Sequence, residues 1–286
     1  MRQAGAEGNA MQVIRERAAL GAATAALRAA GKRLALVPTM GALHQGHLAL
    51  VAAARRAADA VAVSIFVNPL QFGANEDLAR YPRDEAGDLA KLAAAGCDLV
   101  WMPDVATMYP AGAATLIEVA GPAEGFEGAA RPGHFRGVAT VCTKLFGQTG
   151  ADVAVFGEKD WQQLQVVRRV VADLDLPIGI IGHPTVREAD GLACSSRNQR
   201  LTPAERALAP MLPATMQAAL ARIAAGEPPG PVLTDAVATL SAAGFAPDYL
   251  SLVAPETLRP WQSGPGRLLA AARLGDVRLL DNMPLP

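Results

Sequence analysis

Short, almost wholly apolar runs alternate with segments of helical period through the first two thirds of this 286-residue chain, and that alternation constrains the fold most. The runs are Arg33 to Val37, Ala60 to Val67, Cys97 to Met102, Asp152 to Phe156 and Ile178 to Ile181. Runs without polar alternation are strands buried on both faces. The helical segments are Gly46 to Ala58, Arg83 to Ala95, Gly137 to Gln148 and Lys159 to Leu174, the last with apolar residues at Leu164, Val167, Val170 and Val171. Strands that alternate with helices predict right-handed crossovers and a doubly wound, Rossmann-like α/β unit with a parallel sheet. After His183-Pro184 the pattern changes. Helices fill Pro203 to about Ala243, interrupted at Gly226 to Gly230. Short strands follow at Tyr249–Val253, Arg267–Arg273 and Val277–Leu280, the last two joined by the hairpin-like Leu274-Gly275-Asp276. The chain therefore divides into 1–184 and a smaller α+β domain, 185–286.

Composition excludes several classes. With 51% hydrophobic and 19% charged residues the chain is an ordinary globular protein. Its net charge of −1 provides no broad basic field for nucleic acid. Cys97, Cys142 and Cys194 form no disulfide framework and fit reduced thiols in a cytosol. No apolar run approaches the ~18 residues of a membrane span. The first ten residues lack the apolar core of a secretion signal and read as a frayed tail, with Met11 as the structural start.

In an open parallel sheet, ligands sit beyond the carboxyl ends of the strands. Four polar clusters fall there: Pro38 to His47, Asn68 to Gln71, Gly157 to Gln163 and Pro184 to Arg197. One composite site is the expectation. His44 and His47 stand at a helix start, where unpaired N–H groups and the helix dipole favour an anion. On local sequence they allow phosphate contact, helix capping or a metal, although no third metal ligand accompanies them. Lys159 suits a phosphate oxygen, Asp160 a ribose hydroxyl, and Gln163 a hydroxy acid. Ser195, Ser196 and Arg197 suit a triphosphate or form an exposed polar loop. Asp84, Glu85 and Asp88 suit Mg²⁺ or a solvated helix face. There is no G-x-x-x-x-G-K-[ST] and no G-x-G-x-x-G after the first run, so neither a P-loop enzyme nor a dinucleotide binder is expected.

Together these residues resemble a known family. Pro38-Thr39-Met40-Gly41-Ala42-Leu43-His44-x-Gly46-His47, Phe66-Val67-Asn68-Pro69-x-Gln71-Phe72, Arg131-Pro132-Gly133-His134-Phe135, Phe156-Gly157-Glu158-Lys159-Asp160 and Ser195-Ser196-Arg197-Asn198 appear in order. They resemble the pantoate–β-alanine ligase (pantothenate synthetase) family of the HxGH nucleotidyltransferases. The stretch from Arg267 to Asn282 is also similar. The resemblance implies condensation of pantoate with β-alanine by way of a pantoyl adenylate made from ATP, releasing pyrophosphate and then AMP. It implies that His44, His47, Lys159, Ser195, Ser196 and Arg197 act on ATP phosphates. Pro38, Met40, Gly157, Asp160 and Val186 would complete the ATP site. Gln71 and Gln163, with Asn68 and Met40, would hold pantoate and β-alanine. Asp88 would carry Mg²⁺, and the enzyme would be a cytoplasmic homodimer.

Three positions depart from the family pattern. Gln45 replaces a frequent Glu on the expected solvent side. Cys194 replaces a Met beside the nucleotide. Lys91 puts a cation one turn after Asp88, which disturbs the metal geometry. The C-terminal domain is expected to close over ATP and exclude water from the adenylate. Two rival readings are a cytidylyltransferase-like enzyme, whose product would be a nucleotide conjugate, and a nucleotide-binding module without turnover.

Overall fold

The computed structural model describes residues 10–73, 78 and 81–286. Of the ten residues expected to form a frayed tail, 1–9 lie outside the described residues. Six strands form a parallel sheet in the order β1-β4-β3-β2-β5-β6. They are β1 (Gln12–Ile14), β2 (Leu34–Thr39), β3 (Ala60–Ile65), β4 (Leu99–Trp101), β5 (Val153–Gly157) and β6 (Gly179–His183). The helices α1 (Arg17–Ala29), α2 (Gln45–Ala57), α3 (Glu85–Ala94), α6 (His134–Thr149) and α7 (Trp161–Asp173) cover it, with α4 (Val105–Met108) and α5 (Phe126–Ala130) as short turns of helix. The chain reverses direction across the sheet between β2 and β5, and that switch point is where a doubly wound fold opens its crevice.

The apolar runs explain the burial. Ala35, Val37, Val61, Val63 and Val155 pack on one face with Leu50, Val51 and Leu92. Leu36, Ala62 and Ala154 pack on the other face with Val138, Leu145 and Leu164. Period-2 alternation divides each strand between two cores, so β2 and β3 are apolar except for the buried Thr39 and Ser64. Four elements, β1, α1, α4 and α5, escaped sequence reasoning. Strand β1 is only three residues long. Helix α1 fully buries just Leu20 and Thr24. The segment predicted as a helix from Lys159 instead opens with a 3₁₀ turn, Glu158–Asp160, before α7 begins at Trp161.

The C-terminal unit contains α8 (Pro203–Leu208), α9 (Met211–Ala224), α10 (Pro229–Ala242) and an antiparallel meander of β7 (Phe245–Val253), β8 (Arg267–Leu274) and β9 (Val277–Pro284). Leu274 pairs with Val277 across the two-residue turn Gly275-Asp276, as the hairpin signal predicts. Strand β8 is buried on both sides. Leu268, Ala270, Ala272 and Leu274 pack with α9 and α10. Leu269, with Val253 and Leu258, joins the core of the first unit.

Candidate active site

Residues from all four strand-end clusters converge on one cavity of about 210 Å³ over the switch point. Its walls include Pro38 of β2, Met40, His44 and His47 after it, and Asn68 and Gln71 after β3. Gly157, Lys159, Asp160 and Gln163 follow β5, and Val186, Ser195, Ser196 and Arg197 follow β6. Val138, Val141, Cys142 and Leu145 of α6 give it an apolar floor.

The two histidines cap α2. His44 Nδ1 accepts a hydrogen bond from the Gly46 amide at 3.1 Å, and His47 Nδ1 accepts from the His44 amide at 3.3 Å. The rings lie 4.1 Å apart. A neutral imidazole that accepts at Nδ1 carries its proton at Nε2, so both rings are fixed as Nε2–H donors. They are also neutral at pH 7. Burial, then the Lys159 cation, lower the His44 pKa to about 4; burial, then the adjacent His44 ring, lower that of His47 to about 3. Capping and anion contact are therefore compatible, since capping uses Nδ1 and leaves Nε2–H for a ligand. Gly46 is required here, because a Cβ at this position would lie 2.9 Å from the His44 ring.

The Asn68–Gln71 turn is held from behind. Asn68 is 1% exposed. Its amide donates to Gln71 Oε1 at 3.0 Å and Gly137 O at 3.1 Å, while its Oδ1 accepts from Tyr109 at 2.8 Å. It thus orients Gln71, whose Nε2 reaches the Met40 sulfur at 3.2 Å. Gly137 lets α6 approach, since a Cβ there would sit 2.3 Å from the Leu70 carbonyl oxygen. Gln163 also faces the cavity, and among the described residues no hydrogen bond occupies its amide.

On the far wall Lys159 Nζ lies 3.4 Å from Asp160. Dense protein around Asp160 raises its pKa, but Lys159 and Arg197 outweigh this and hold the carboxyl below the usual range. Ser195 caps the following 3₁₀ turn by accepting from the Arg197 amide at 3.3 Å, and Ser196 is buried beside it. A second cavity of about 90 Å³ adjoins the first and shares Met40, Gln71, Lys159, Asp160, Gln163 and Arg197 with it. Its remaining walls include Glu127, Arg131, His134 and Tyr249. His134 Nδ1 donates to Gln71 O at 2.9 Å.

Residues 12–284 match the family model described as pantoate-beta-alanine ligase. The chain belongs to the pantoate–β-alanine ligase family. It is 58% identical to a pantothenate synthetase of Acidiphilium cryptum over 276 residues, 96% of this chain and 99% of that protein. It is 56% identical to one of Rhizorhabdus wittichii, covering 96% of this chain and 98% of that protein. The crystal structure of pantothenate synthetase from Thermus thermophilus superposes with a TM-score of 0.90 at 48% identity, covering 96% of this chain and 99% of that one. The ligase of Francisella tularensis, complexed with beta-gamma ATP and beta-alanine, gives a TM-score of 0.82 at 31% identity, covering 96% and 97%.

Set beside the ligase family pattern, every residue expected at the site lines the first cavity except Asp88. Asp88 is 1% exposed. Its Oδ2 accepts from the Ala42 amide at 2.8 Å and its Oδ1 from the Leu43 amide at 2.7 Å. Lys91 Nζ stands 3.7 Å from Oδ1 and donates to Leu43 O at 3.0 Å. A carboxylate engaged by two amides and an ammonium does not fit Mg²⁺, which takes oxygen ligands and dehydrates reluctantly. Asp88 instead holds the loop before His44, where Ala42 has φ 51°, a strained value for a residue with a Cβ. Gln45 is exposed and Cys194 lines the cavity, both as expected. Sequence reasoning missed Glu127, Tyr249, Asp281 and Asn282, which line the second cavity from distant parts of the chain. Only the resemblance of the Arg267–Asn282 stretch pointed toward the last two.

Proposed function

We propose that this chain condenses pantoate with β-alanine at the expense of ATP. The observation that carries the reading is one cleft bearing two neutral Nε2–H imidazoles, an ammonium, a guanidinium and two hydroxyls, joined to a smaller pocket through Gln71 and Gln163. ATP occupies the larger cavity, its phosphates between His44 and His47 on one side and Lys159, Ser195, Ser196 and Arg197 on the other. Pro38, Met40, Gly157, Asp160 and Val186 surround the rest of the nucleotide. Pantoate lies on Gln71 and Gln163, with Asn68 fixing Gln71. A pantoate carboxylate oxygen attacks the α-phosphorus, the bond to the β-phosphate oxygen breaks, and pyrophosphate leaves. The histidines donate hydrogen bonds to charge developing on phosphate oxygens and transfer no proton, which is electrostatic stabilisation by preorganised donors. The amine of β-alanine, entering from the second cavity, attacks the acyl carbon. AMP leaves, the amide forms, and the amine proton passes to solvent. Positioning does the remainder of the work. The beta-gamma ATP and beta-alanine of the Francisella structure support both substrates. Any Mg²⁺ requirement is assigned to the nucleotide's own phosphates, and no step is routed through Asp88.

The test is pantoate-dependent pyrophosphate release followed by β-alanine-dependent AMP release. Lys159→Ala and His47→Ala should each slow the first by at least ~100-fold, the scale of one lost charge-stabilising donor. A nucleotide conjugate as product, or ATP binding without pyrophosphate release, overturns the reading. The same proposal takes the enzyme to be a cytosolic homodimer, to be checked by light scattering. Cys97, Cys142 and Cys194 are all free thiols, and no helix among the described residues is long and apolar enough to cross a membrane.

A further inference from the structure

In the proposed reaction the Arg267–Asn282 stretch has no role beyond lining the second cavity, yet it reaches the site from two directions. Asn282 of β9 is 4% exposed. Its side-chain amide donates to the carbonyl oxygens of Glu158 and Lys159, both at 2.8 Å. Its Oδ1 accepts from Arg267 Nη1 at 2.5 Å. The Arg267 guanidinium lies 3.3 Å from the centroid of the Trp161 ring and 3.4 Å from the Glu158 carboxylate. The turn that presents Lys159 is thus pinned by its backbone to β9 and flanked by an arginine stacked on the next residue.

Asp281, also 4% exposed, faces the other way. It accepts two hydrogen bonds from Arg187, at 2.7 and 2.8 Å. Arg187 also donates to Gly191 O at 3.0 Å and pairs by backbone with Ala193. It therefore anchors the loop running from Val186 to Ser195, Ser196 and Arg197. Successive residues of a strand point to opposite faces. One dipeptide can therefore hold two segments, the Glu158–Lys159 turn after β5 and the Arg187 loop after β6. The paired hydrogen bonds to Arg187 add angular definition to the hold.

We propose that Asp281 and Asn282 form a positioning pair that sets the placement of Lys159 relative to Ser195–Arg197, and hence how tightly the triphosphate is gripped. Neither residue touches the reacting atoms. The proposal rests on the reading that Lys159 and Arg197 contact phosphate.

The deciding measurement is a pair of double-mutant cycles read by pantoate-dependent pyrophosphate release and by ATP affinity. Asn282→Asp preserves shape and the bond to Arg267 but replaces the two donated hydrogens with acceptors facing carbonyl oxygens. It should lower kcat/KM for ATP about tenfold, which is ~1.4 kcal/mol. In a Lys159→Ala background the same change should cost less than about twofold, because the group it positions is gone. Asp281→Asn should show the matching loss of effect in an Arg197→Ala background while keeping its effect with Lys159→Ala. Asn282→Ser, which introduces no charge, replaces Asn282→Asp in the cycle if that protein does not fold. Additive effects with Lys159→Ala itself impaired, or an Asn282→Asp enzyme with wild-type ATP kinetics, overturn the positioning pair alone. A Lys159→Ala enzyme with the wild-type rate overturns the phosphate reading, and the pair with it.

Discussion

At the level of single residues, backbone geometry decides the tautomer of His44 and His47, and exclusion of solvent decides their charge. Each Nδ1 is committed to an amide, and burial keeps the rings neutral. Folded-state pKa values of about 4 and about 3 lie below the ordinary value near 6.5, so the unfolded chain takes up protons first as pH falls. Their contribution to stability is complete above pH ~6.5 and is lost as pH falls from there toward the folded values. We expect pyrophosphate release to show no histidine inflection near pH 6.5; an acid limb centred there, abolished in His47→Gln, would contradict the neutral assignment. Asp88 yields a second prediction. Asp88→Ala strands two buried amides, at about 1–3 kcal/mol for each unsatisfied group. The urea midpoint should fall while the Mg²⁺ concentration giving half-maximal rate stays put. A shifted Mg²⁺ dependence at unchanged stability would return the carboxylate to the metal.

Elements place those residues, and here the glycines of α6 and α2 matter more than their capping. Gly137 allows α6 to lie against the Asn68–Gln71 turn, with Asn68 bonded to its carbonyl. Gly137→Ala should therefore push that turn outward and weaken pantoate more than ATP; equal KM changes for the two, or none, would show that the packing is not what orients Gln71. The central strands were legible from their apolar runs because a strand buried on both faces is apolar at nearly every position, with Thr39 and Ser64 as the small exceptions. The site clusters were legible because they follow those strands in chain order. What stayed hidden has more than one cause. The rim strand Gln12–Ile14 is too short to show a period, and the helix Arg17–Ala29 was overlooked although its periodic pattern was there to be read. Glu127, Tyr249, Asp281 and Asn282 act across the fold, where no local pattern exists to disclose them. Asp88 shows a related limit: spacing shows that a carboxylate is near, but not that backbone amides bind it.

Over the whole molecule, the smaller unit is fastened to the larger one. Val253, Leu258 and Leu269 share the core of the α/β unit, Trp161 donates to Pro255 O at 2.7 Å, and Glu127 binds both Tyr249 and Arg278. We expect a fragment ending at residue 184 to lack a cooperative unfolding transition while the intact chain shows one; a fragment with native-like NMR dispersion would refute this. Closure over the adenylate, expected from the two-domain sequence pattern, should then be confined to the segment after β6. The scattering envelope should change little with ATP and pantoate. The turn at Gly275-Asp276 acquires an unexpected weight from this arrangement. It lies at the end of the hairpin away from Asp281 and Asn282, but it fixes which of them faces which half of the protein. An inserted residue that shifted the β8–β9 register by one would exchange the two side chains between faces. The hairpin would remain hydrogen-bonded, and the nucleotide cleft would lose both anchors through a change that touches neither ligand nor cleft. The length of that turn is thus a heritable setting of the active site, open to damage by an insertion that residue-by-residue inspection of the cleft would never flag.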